Sequence, residues 1–397
     1  MRLLLLLASL VPLLAAQGCY QGCPQTASEF CGNRNCGQVT EENACGEVQT
    51  IDCGRCFGPD ICGGGGVPNV CSFCKTPAVS RDCTGGWCKI PAGCFRMGTD
   101  QSPCTSDVIA SPMPFTTFGQ ETMHEVALTH SFQIMDAEAT QAAFSDLMDY
   151  RPARNEGQAQ AFMPDNPVEY VSWHEAAAYA NALSTKEGRE PCYACSGEDA
   201  KVTCEVRERY AGSAIYDCPG YRLPTDAEWE YAFRGGKSTD FYTGQDLDAA
   251  GCHCHHDVEA KACTCDAKSD SPVPCDTFGF YGALNDTAWW EQNSGGIHHP
   301  VRTTKTPNPW GLYDVAGNVF EWCHDWSETT MASAKATDPA GQPSGTFKVV
   351  RSFAFNWGEI RFFRASTRRL ETPDHVCHSV GFRLVRTLTS GPLQEGS

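Results

Sequence analysis

Four residues able to bind a cation or to shape a tight turn lie close together in the segment GLYDVAGNVFEW, residues 311–322. They are Asp314, Gly317, Asn318 and Glu321, and their neighbours are apolar enough for the segment to be buried. A buried carboxylate is costly unless a partner neutralises its charge. The partner could be an arginine, a set of backbone N–H groups or a metal ion, and the segment by itself leaves these alternatives open.

A second stretch, RSFAFNWGEIRFFRASTRR at residues 351–369, combines aromatic side chains with arginines. Core packing is the simple explanation for most of the aromatic residues, because large apolar side chains usually point inward. The alternative is a ligand groove with exposed aromatic and cationic groups. Its lining would be Phe355, Asn356, Trp357, Arg361 and Arg364.

A third cluster, GCHCHHDVEAKACTCD at residues 251–266, is rich in histidine and cysteine. Such side chains could bind copper or zinc. The cluster also has the composition of a disulfide knot, since cysteines of exported proteins usually pair. We favour the disulfide knot.

The elements that would position these residues are short. WCKIPAGCFRMGT (87–99) predicts a strand and a turn, and HEVALTHSFQI (124–134) predicts a strand. Thr140 is placed to cap a short helix whose apolar residues recur at helical spacing. Turns and short strands fill much of the remaining chain, which predicts a mixed α+β domain with little regular secondary structure.

Two capping boxes predict the starts of longer helices. Ser172 precedes Glu175 in SWHE, and Thr225 precedes Glu228 in TDAE. In this motif each side chain binds the backbone N–H of the other residue. We expect helices over HEAAAYANALSTKEG, ending at Gly188, and over DAEWEYAFR, ending at a pair of glycines.

The first residues have the pattern of a secretory signal: Met1-Arg2, an apolar run, and AAQGC. The site can be interpreted as an ordinary cleavage site or as a lipobox before Cys19. The chain has 25 cysteines, an odd number, and lipidation of Cys19 would leave an even number. We therefore predict an exported protein, anchored by a lipid on Cys19 to the outer membrane or the cell surface, and otherwise secreted or periplasmic.

Cysteines dominate residues 19–84, where Gly, Pro, Asn and Asp fill the gaps and apolar side chains are too few for a core. Disulfides must therefore hold this segment together. Its CxxC pairs could instead bind zinc, but an oxidising compartment favours disulfides. Four further cysteines predict two disulfides that fix a long surface loop: Cys192, Cys195, Cys204 and Cys218.

The chain carries a formal net charge of −18. Such a surface repels phosphate backbones, so we expect no nucleic-acid partner. No stretch after the signal is long and apolar enough for a transmembrane helix, so membrane contact would come from the lipid anchor only. We divide the chain into a signal peptide (1–18), a disulfide-rich spacer (19–84), a globular domain (85–388) and a disordered tail (389–397).

Several segments of the globular domain resemble the formylglycine-generating enzyme family, also called the sulfatase-modifying factor family. They include NPVEYVSWHEAAAYANALSTKEG, GYRLPTDAEWEYAFRGG and GLYDVAGNVFEW, they occur in the family's order, and together they cover roughly residues 85–387. The resemblance implies an irregular fold of short helices and small sheets that is related to C-type lectins.

The resemblance also implies a structural calcium ion at residues 311–322. Its ligands would be side-chain oxygens of Asp314 and Glu321 and backbone carbonyls of Gly317 and Val319. Calcium accepts such a mixture of carboxylate and carbonyl oxygens in loose geometry. The alternative is a tight turn in which Glu321 pairs with an arginine.

The sequence departs from the family where catalysis should occur. The enzymes oxidise a cysteine of a sulfatase with copper held by two cysteines, whereas residues 351–369 contain no cysteine. The expected thiols fall near Asn356 and near Ile360 or Arg361, none of which replaces a thiolate as a Cu(I) ligand. We therefore expect neither copper nor formylglycine formation to be part of this protein's function. We expect the later cysteines, Cys323 and Cys377, to be disulfide-bonded or buried thiols.

These observations favour a non-catalytic module that binds a protein, a peptide or a glycan. One alternative is a metal-dependent oxidase that uses other groove residues. The other is a structural envelope protein.

Overall fold

The structure is a computed structural model of the 397-residue chain. The signal peptide, Cys19 and residues 389–397 lie outside the described residues, as does half of the cluster at 251–266. The described residues are 30–31, 34, 36–42, 47–54, 61–62, 71–72, 77–99, 117–118, 121–152, 162–246, 254–257, 262–265, 280–304, 306–327 and 335–388.

Three small sheets organise the globular domain. The largest has five strands, in the order Val380–Gly381, Phe320–Trp326, Lys348–Arg351, Arg369–Glu371 and Thr117–Phe118. A four-stranded sheet has the order Val385–Thr387, Phe132–Met135, Trp87–Ile90 and Cys83–Thr84. A three-stranded sheet has the order Ala336–Thr337, His124–Leu128 and Gly93–Met97.

Four two-stranded hairpins accompany these sheets. Two lie in the cysteine-rich segment, one in the loop after residue 190 and one in the histidine- and cysteine-rich cluster. They are Gln38–Glu42 with Val48–Asp52, Ile61–Cys62 with Cys71–Ser72, Tyr193–Ser196 with Thr203–Val206, and Cys254–Asp257 with Ala262–Cys265.

The described helices are short, and the predicted caps are present. Thr140 accepts a hydrogen bond from Ala143 N, and both capping boxes, at Ser172 and Thr225, are complete. The α-helices are Gln141–Met148, Trp173–Lys186, Asp226–Arg234, Phe280–Thr287 and Glu291–Ser294, and the 3-10 helices are Asp199–Lys201, Glu208–Tyr210, Gly212–Asp217 and Ile360–Phe363. The mixed α+β fold with little regular structure is thus confirmed. Within the described residues, no helix has both the length and the apolar character needed to span a membrane.

The segment 124–134, predicted as one strand, is two strands with a break between them. Asp338 is the cause, because its carboxylate accepts hydrogen bonds from the backbone N–H and the hydroxyl of Thr129. This contact turns the chain, so that the two strands join different sheets. The expected boundary at residue 85 also falls inside a hairpin, since Cys83–Thr84 pairs with Trp87–Ile90.

Disulfides join several of the described cysteines, in places where the sequence has a loop or a segment with few core residues. The two predicted bridges of the surface loop are confirmed as Cys192–Cys218 and Cys195–Cys204. Further bridges between described residues are Cys31–Cys53, Cys36–Cys62 and Cys83–Cys88, and Cys94 is disulfide-bonded as well.

The core of the domain contains buried arginines that are matched to carboxylates. Arg222 binds both oxygens of Glu228, the residue that also closes the second capping box. Arg351 binds Asp226 and Glu230 on the same helix. Removing one partner of such a pair leaves an uncompensated buried charge. The pairs of Arg351 therefore fix the helix Asp226–Arg234 against the five-stranded sheet.

Candidate functional site

The loop before strand Phe320–Trp326 has a backbone that only a few residue types adopt. Asp314, Gly317 and Asn318 all have positive φ, at 55°, 103° and 62°. A Cβ atom at position 317 would lie 2.5 Å from the carbonyl oxygen of Trp289. Glycine is therefore required at 317 by both its backbone conformation and the space around it.

Glu321 has an arginine partner. Arg383 donates to Oε2 through Nε and to Oε1 through Nη2, both at 2.7 Å, and Trp229 Nε1 donates to Oε2 at 2.8 Å. Both charged side chains are fully buried. This geometry is the alternative that the sequence left open beside calcium, and it neutralises Glu321 without a metal ion.

Two further carboxylates leave a surplus of negative charge beside this pair. They are Asp314 and Glu138, and the sequence analysis did not identify Glu138. Burial raises the pKa of Asp314 to about 6, with a contribution from Glu321. Burial and Asp314 raise the pKa of Glu138 well above its ordinary value, and Oε1 of Glu138 is buried without a hydrogen-bond partner. A cation would relieve both effects.

The residues therefore fit a calcium ion in part. Asp314, the carbonyls of Gly317 and Val319, and the charge of Glu138 suit a hard cation, whereas both oxygens of Glu321 are already engaged. In the described part of the chain, no three His, Cys, Asp or Glu side chains converge as metal ligands. Calcium in this loop would thus depend on backbone oxygens, and it stays a prediction.

The predicted groove residues differ in how accessible their side chains are to a ligand. Arg364 is buried and binds Glu121 through both Nη atoms, so it lies beneath the surface and is removed from the candidate groove. Arg361 pairs with Glu359 at 2.6 Å. The Trp357 ring packs against neighbouring aromatic rings at 5.2–5.9 Å.

The remaining groove residues belong to a group that we call the histidine–aromatic cluster: Tyr170, His298, Phe355, Asn356 and His378. The Phe355 ring lies 5.8 Å from His298 and 5.7 Å from His378, and His378 is 6.4 Å from Tyr170. Exposed Asn356 lies 3.4 Å from Nε2 of His378. Burial and the neighbouring His298 lower the pKa of His378, which favours its neutral form.

Three exposed apolar side chains are linked to this cluster by sequence position or by contact, and we call them the apolar rim: Met163, Ile297 and Val376. They are 41%, 42% and 46% exposed, and the remaining strongly exposed large apolar residue of the described chain is Val48, at 74%. Ile297 adjoins His298 in sequence, and Val376 lies two residues before His378. Met163 reaches His298 through Asn166, which contacts both.

Cys323 and Cys377 are free cysteines, the first buried and the second partly exposed. The alternative in which these two are disulfide-bonded is therefore wrong. In the third cluster, the backbone of the hairpin pairs Cys254 with Cys265.

Sequence reasoning missed Glu138, Tyr170, His298 and His378. Tyr170 lies within the quoted segment NPVEYVSWHEAAAYANALSTKEG, whereas the other three are outside the quoted motifs and join the site through tertiary contacts. A signal was present for the two histidines, because GGIHHP precedes the segment 311–322 by about ten residues and VCHS follows the segment 351–369 by about seven.

Comparisons with known proteins agree with this architecture. The model of the Sulfatase-modifying factor enzyme 1-like domain matches residues 76–388. The formylglycine-generating enzyme of Streptomyces coelicolor is 30% identical over 241 residues, which are 58% of this chain and 57% of that protein. Chaperone protein LppX of Paenibacillus barcinonensis is 29% identical over 247 residues, which are 59% and 77% of the two chains.

A solved structure shares the fold over a larger part of the chain. Treponema denticola variable protein 1 superposes with a TM-score of 0.54 at 25% identity, over 78% of this chain and 99% of that one. The match to the Streptomyces enzyme, in contrast, spans only about 57% of the enzyme's length.

Proposed function

Because this chain belongs to the sulfatase-modifying factor family, we propose that its domain binds a protein or peptide at the histidine–aromatic cluster, and that it does not oxidise cysteine. The observation that carries the proposal is the apolar rim. Single exposed apolar residues are ordinary, but several around one polar centre are typical of an interaction site. Three of the four strongly exposed large apolar side chains of the described chain are linked to this cluster, two by their position in the sequence and Met163 through Asn166.

The chemistry of the cluster supports binding rather than oxidation. Asn356 and Arg361, near the positions expected for the copper ligands, offer an amide and a guanidinium that is paired with Glu359. The accessible cluster residues, Asn356 and His378, provide hydrogen-bonding groups for a peptide, and the buried side chains of Tyr170, His298 and Phe355 support them from beneath. The name of the relative LppX, a chaperone protein, is consistent with a family member that acts on other proteins.

The proposal includes export and anchoring of the mature chain by a lipid on Cys19. Its support is the signal pattern, the Gly18-Cys19 pair and the odd number of cysteines. Mass spectrometry of the mature N-terminus tests it, and we expect acyl groups on Cys19. A mature chain that begins at Gln17, or at Cys19 without acyl groups, would contradict the anchor.

Peptide binding can be tested without knowing the natural partner. A random peptide library is selected on the whole protein, and the best peptide is measured by calorimetry against matched variants. Ile297→Glu and Val376→Glu should each weaken binding at least tenfold, since they place a charge in the apolar rim. Val48→Glu, at an equally apolar and exposed position outside the rim, should leave the affinity unchanged.

Two results would overturn the proposal. One is a selected peptide whose affinity is the same for wild type and for both rim variants. The other is failure to select any peptide while a glycan array run on the same protein gives a ligand that Ile297→Glu abolishes, because the site would then recognise carbohydrate.

A further inference from the structure

The second strand of the five-stranded sheet contains a bulge. Trp322 on this strand lies opposite Val350, and Trp326 lies opposite Lys348, so four residue steps on one strand face two on the other. Bulges of this kind re-aim side chains and are common beside functional sites. His324 is the middle residue of the bulge, and its side chain is therefore placed by the irregular backbone rather than by the ladder.

A cavity of about 270 Å³ lies beside the bulge. This volume is just below the roughly 300–1,000 Å³ of pockets that hold drug-sized ligands, so the cavity suits a smaller molecule. Its wall combines apolar side chains with a few polar ones, which is the usual composition of a ligand site. The lining includes Trp173, Val206, Trp326, His324, Lys348 and Glu205.

Lys348 brings a positive charge to this cavity without a carboxylate to neutralise it. Its Nζ donates to the carbonyl oxygen of His324 at 2.8 Å and lies 4.0 and 3.9 Å from the ring centroids of Trp173 and Trp326. In the part of the chain that the structure describes, no Asp or Glu forms an ion pair with it. An ammonium has three N–H donors, so donors remain for a further acceptor. A buried charge without an opposite charge is costly, and an anionic ligand would remove this cost.

His324 offers a second donor. Leu223 N donates to the hydroxyl of Tyr193 at 3.2 Å, and this hydroxyl lies 3.3 Å from Nδ1 of His324, which leaves the hydroxyl proton for Nδ1. Burial lowers the pKa of His324 well below its ordinary value, and a neutral imidazole whose Nδ1 accepts a hydrogen bond carries its own proton on Nε2. Nε2 has no hydrogen-bond partner among the described residues, although the residue is only 4% exposed. An N–H group in the cavity wall is thus left for a ligand.

We propose that this cavity binds a small organic carboxylate between Lys348 and His324. One carboxylate oxygen accepts a hydrogen bond from Nζ of Lys348 and the other accepts one from Nε2 of His324. The apolar part of the ligand packs against Trp173, Val206 and Trp326. Hydrogen bonds between charged groups are roughly twice as strong as those between neutral groups, so the ammonium selects an acid over a neutral molecule of the same shape.

The other charged groups near the cavity limit the charge of the ligand. Glu205 is exposed, and its carboxylate disfavours a ligand with two negative charges. Burial lowers the pKa of Lys348 to about 7, while Asp325 acts against this shift. A bound carboxylate would favour the protonated ammonium, because an opposite charge stabilises the charged form of a lysine. The ligand class is therefore a monocarboxylate.

The cavity is separate from the site proposed for peptide binding. None of its described lining residues belongs to the histidine–aromatic cluster or to the apolar rim. The two proposals therefore do not depend on each other, and either can fail alone.

The test is a titration of the whole protein with 4-fluorobenzoate, followed by fluorine NMR, beside a titration with 4-fluorobenzamide, which has nearly the same shape. We expect the acid to bind with a Kd of about 1 mM and the amide to bind at least tenfold more weakly. Lys348→Met keeps most of the side-chain volume and removes the charge, so it should abolish the preference for the acid. Lys89→Met, at an exposed lysine, and Ile297→Glu, in the apolar rim, should both keep it.

The indole N–H signals of protein labelled with nitrogen-15 locate the bound acid. The signal that is missing from Trp326→Phe should shift when 4-fluorobenzoate is added to wild type. Three results would overturn the proposal: equal affinity of wild type for acid and amide, a preference for the acid that survives in Lys348→Met, or acid binding that leaves the Trp326 signal unmoved. Absence of acid binding below roughly 10 mM would also overturn it. If Lys348→Met does not fold, the two wild-type measurements decide.

Discussion

Arg383 binds both carboxylate oxygens of Glu321, each at 2.7 Å, with both side chains excluded from solvent. This pair changes the interpretation of the segment 311–322 as a calcium site. The residue that the family resemblance makes a calcium ligand is already neutralised, whereas Asp314 and Glu138 nearby are not. The calcium hypothesis therefore depends on Asp314 and the backbone of the loop.

Calcium is expected to raise the melting temperature of the chelated protein, because an ion that binds only the folded state stabilises it by mass action. Asp314→Asn should remove this response, since a neutral amide is a poorer ligand for a hard cation. Magnesium should substitute badly, because it demands tighter octahedral geometry. Thermal melts with chelator and with each ion measure the effect.

Glu321→Gln distinguishes between two roles of Glu321, as the ion-pair partner of Arg383 and as a calcium ligand. Loss of the carboxylate leaves Arg383 buried without its partner, which costs roughly 3–5 kcal/mol. We expect this loss in chelator as well as in calcium, with the calcium response retained. A wild-type melting temperature that is identical in chelator and in calcium would mean that the loop holds no ion.

Asp314 should make the chelated protein less stable as the pH rises. Its pKa in the folded state is about 6, above the value of about 3.9 for an unfolded chain. The folded state therefore binds this proton more tightly, so its contribution to stability is present below pH 4 and is lost as the pH rises to 6.

The measurement is the free energy of unfolding in chelator between pH 4 and pH 7. The free energy of unfolding of Asp314→Asn should decline less over this window than that of wild type, and the difference should be roughly 1–3 kcal/mol in total. Asp82→Asn, at an exposed carboxylate, should follow the wild-type curve. Equal slopes for wild type and Asp314→Asn would contradict the assignment.

Local signals in the sequence predicted much of the fold. Ser172 with Glu175, and Thr225 with Glu228, fix helix starts within four residues of chain, so a linear motif carries the whole interaction. The break at Thr129 was not predicted, because its cause, Asp338, is more than two hundred residues away.

The candidate site was predicted less completely for the same reason. The sequence of the segment 311–322 indicates a buried charge. The partner of Glu321 is Arg383, which can be identified only from a tertiary contact. Arg364 was predicted to line the groove, but its side chain forms an ion pair with Glu121 instead. The sequence shows which charged residues are present, but only the tertiary packing determines which of them form ion pairs.

Lys348 is a buried cation whose replacement should stabilise the protein. Its Nζ donates to the carbonyl of His324 at 2.8 Å and lies 4.0 and 3.9 Å from the centroids of Trp173 and Trp326. Burial lowers its pKa to about 7. Because this value is below that of an unfolded lysine, about 10.4, the contribution of Lys348 to stability rises with pH between 7 and 10.

Lys348→Met keeps most of the side-chain volume and removes the charge. We expect it to raise the free energy of unfolding at pH 6 by roughly 1–4 kcal/mol, with a smaller gain at pH 9. Lys89→Met, at an exposed lysine, should change stability by less than about 0.5 kcal/mol. Denaturant titration at the two pH values measures both, and an equal loss of stability at each pH would show that the ammonium is a favourable part of the core.

Formylglycine should not form on a sulfatase-type cysteine peptide incubated with this protein, with or without copper. Residues 351–369 contain no thiolate to hold Cu(I), and Asn356 and Arg361 cannot replace one. Mass spectrometry of the peptide, with the Streptomyces coelicolor relative as a positive control, detects conversion directly. Conversion by the wild type that Cys377→Ser abolishes would mean that the partly exposed thiol has taken over the missing role. Conversion that survives both this variant and replacement of His253, His255 and His256 would show that the histidine–aromatic cluster is itself an oxidising site, and the binding function would have to be abandoned.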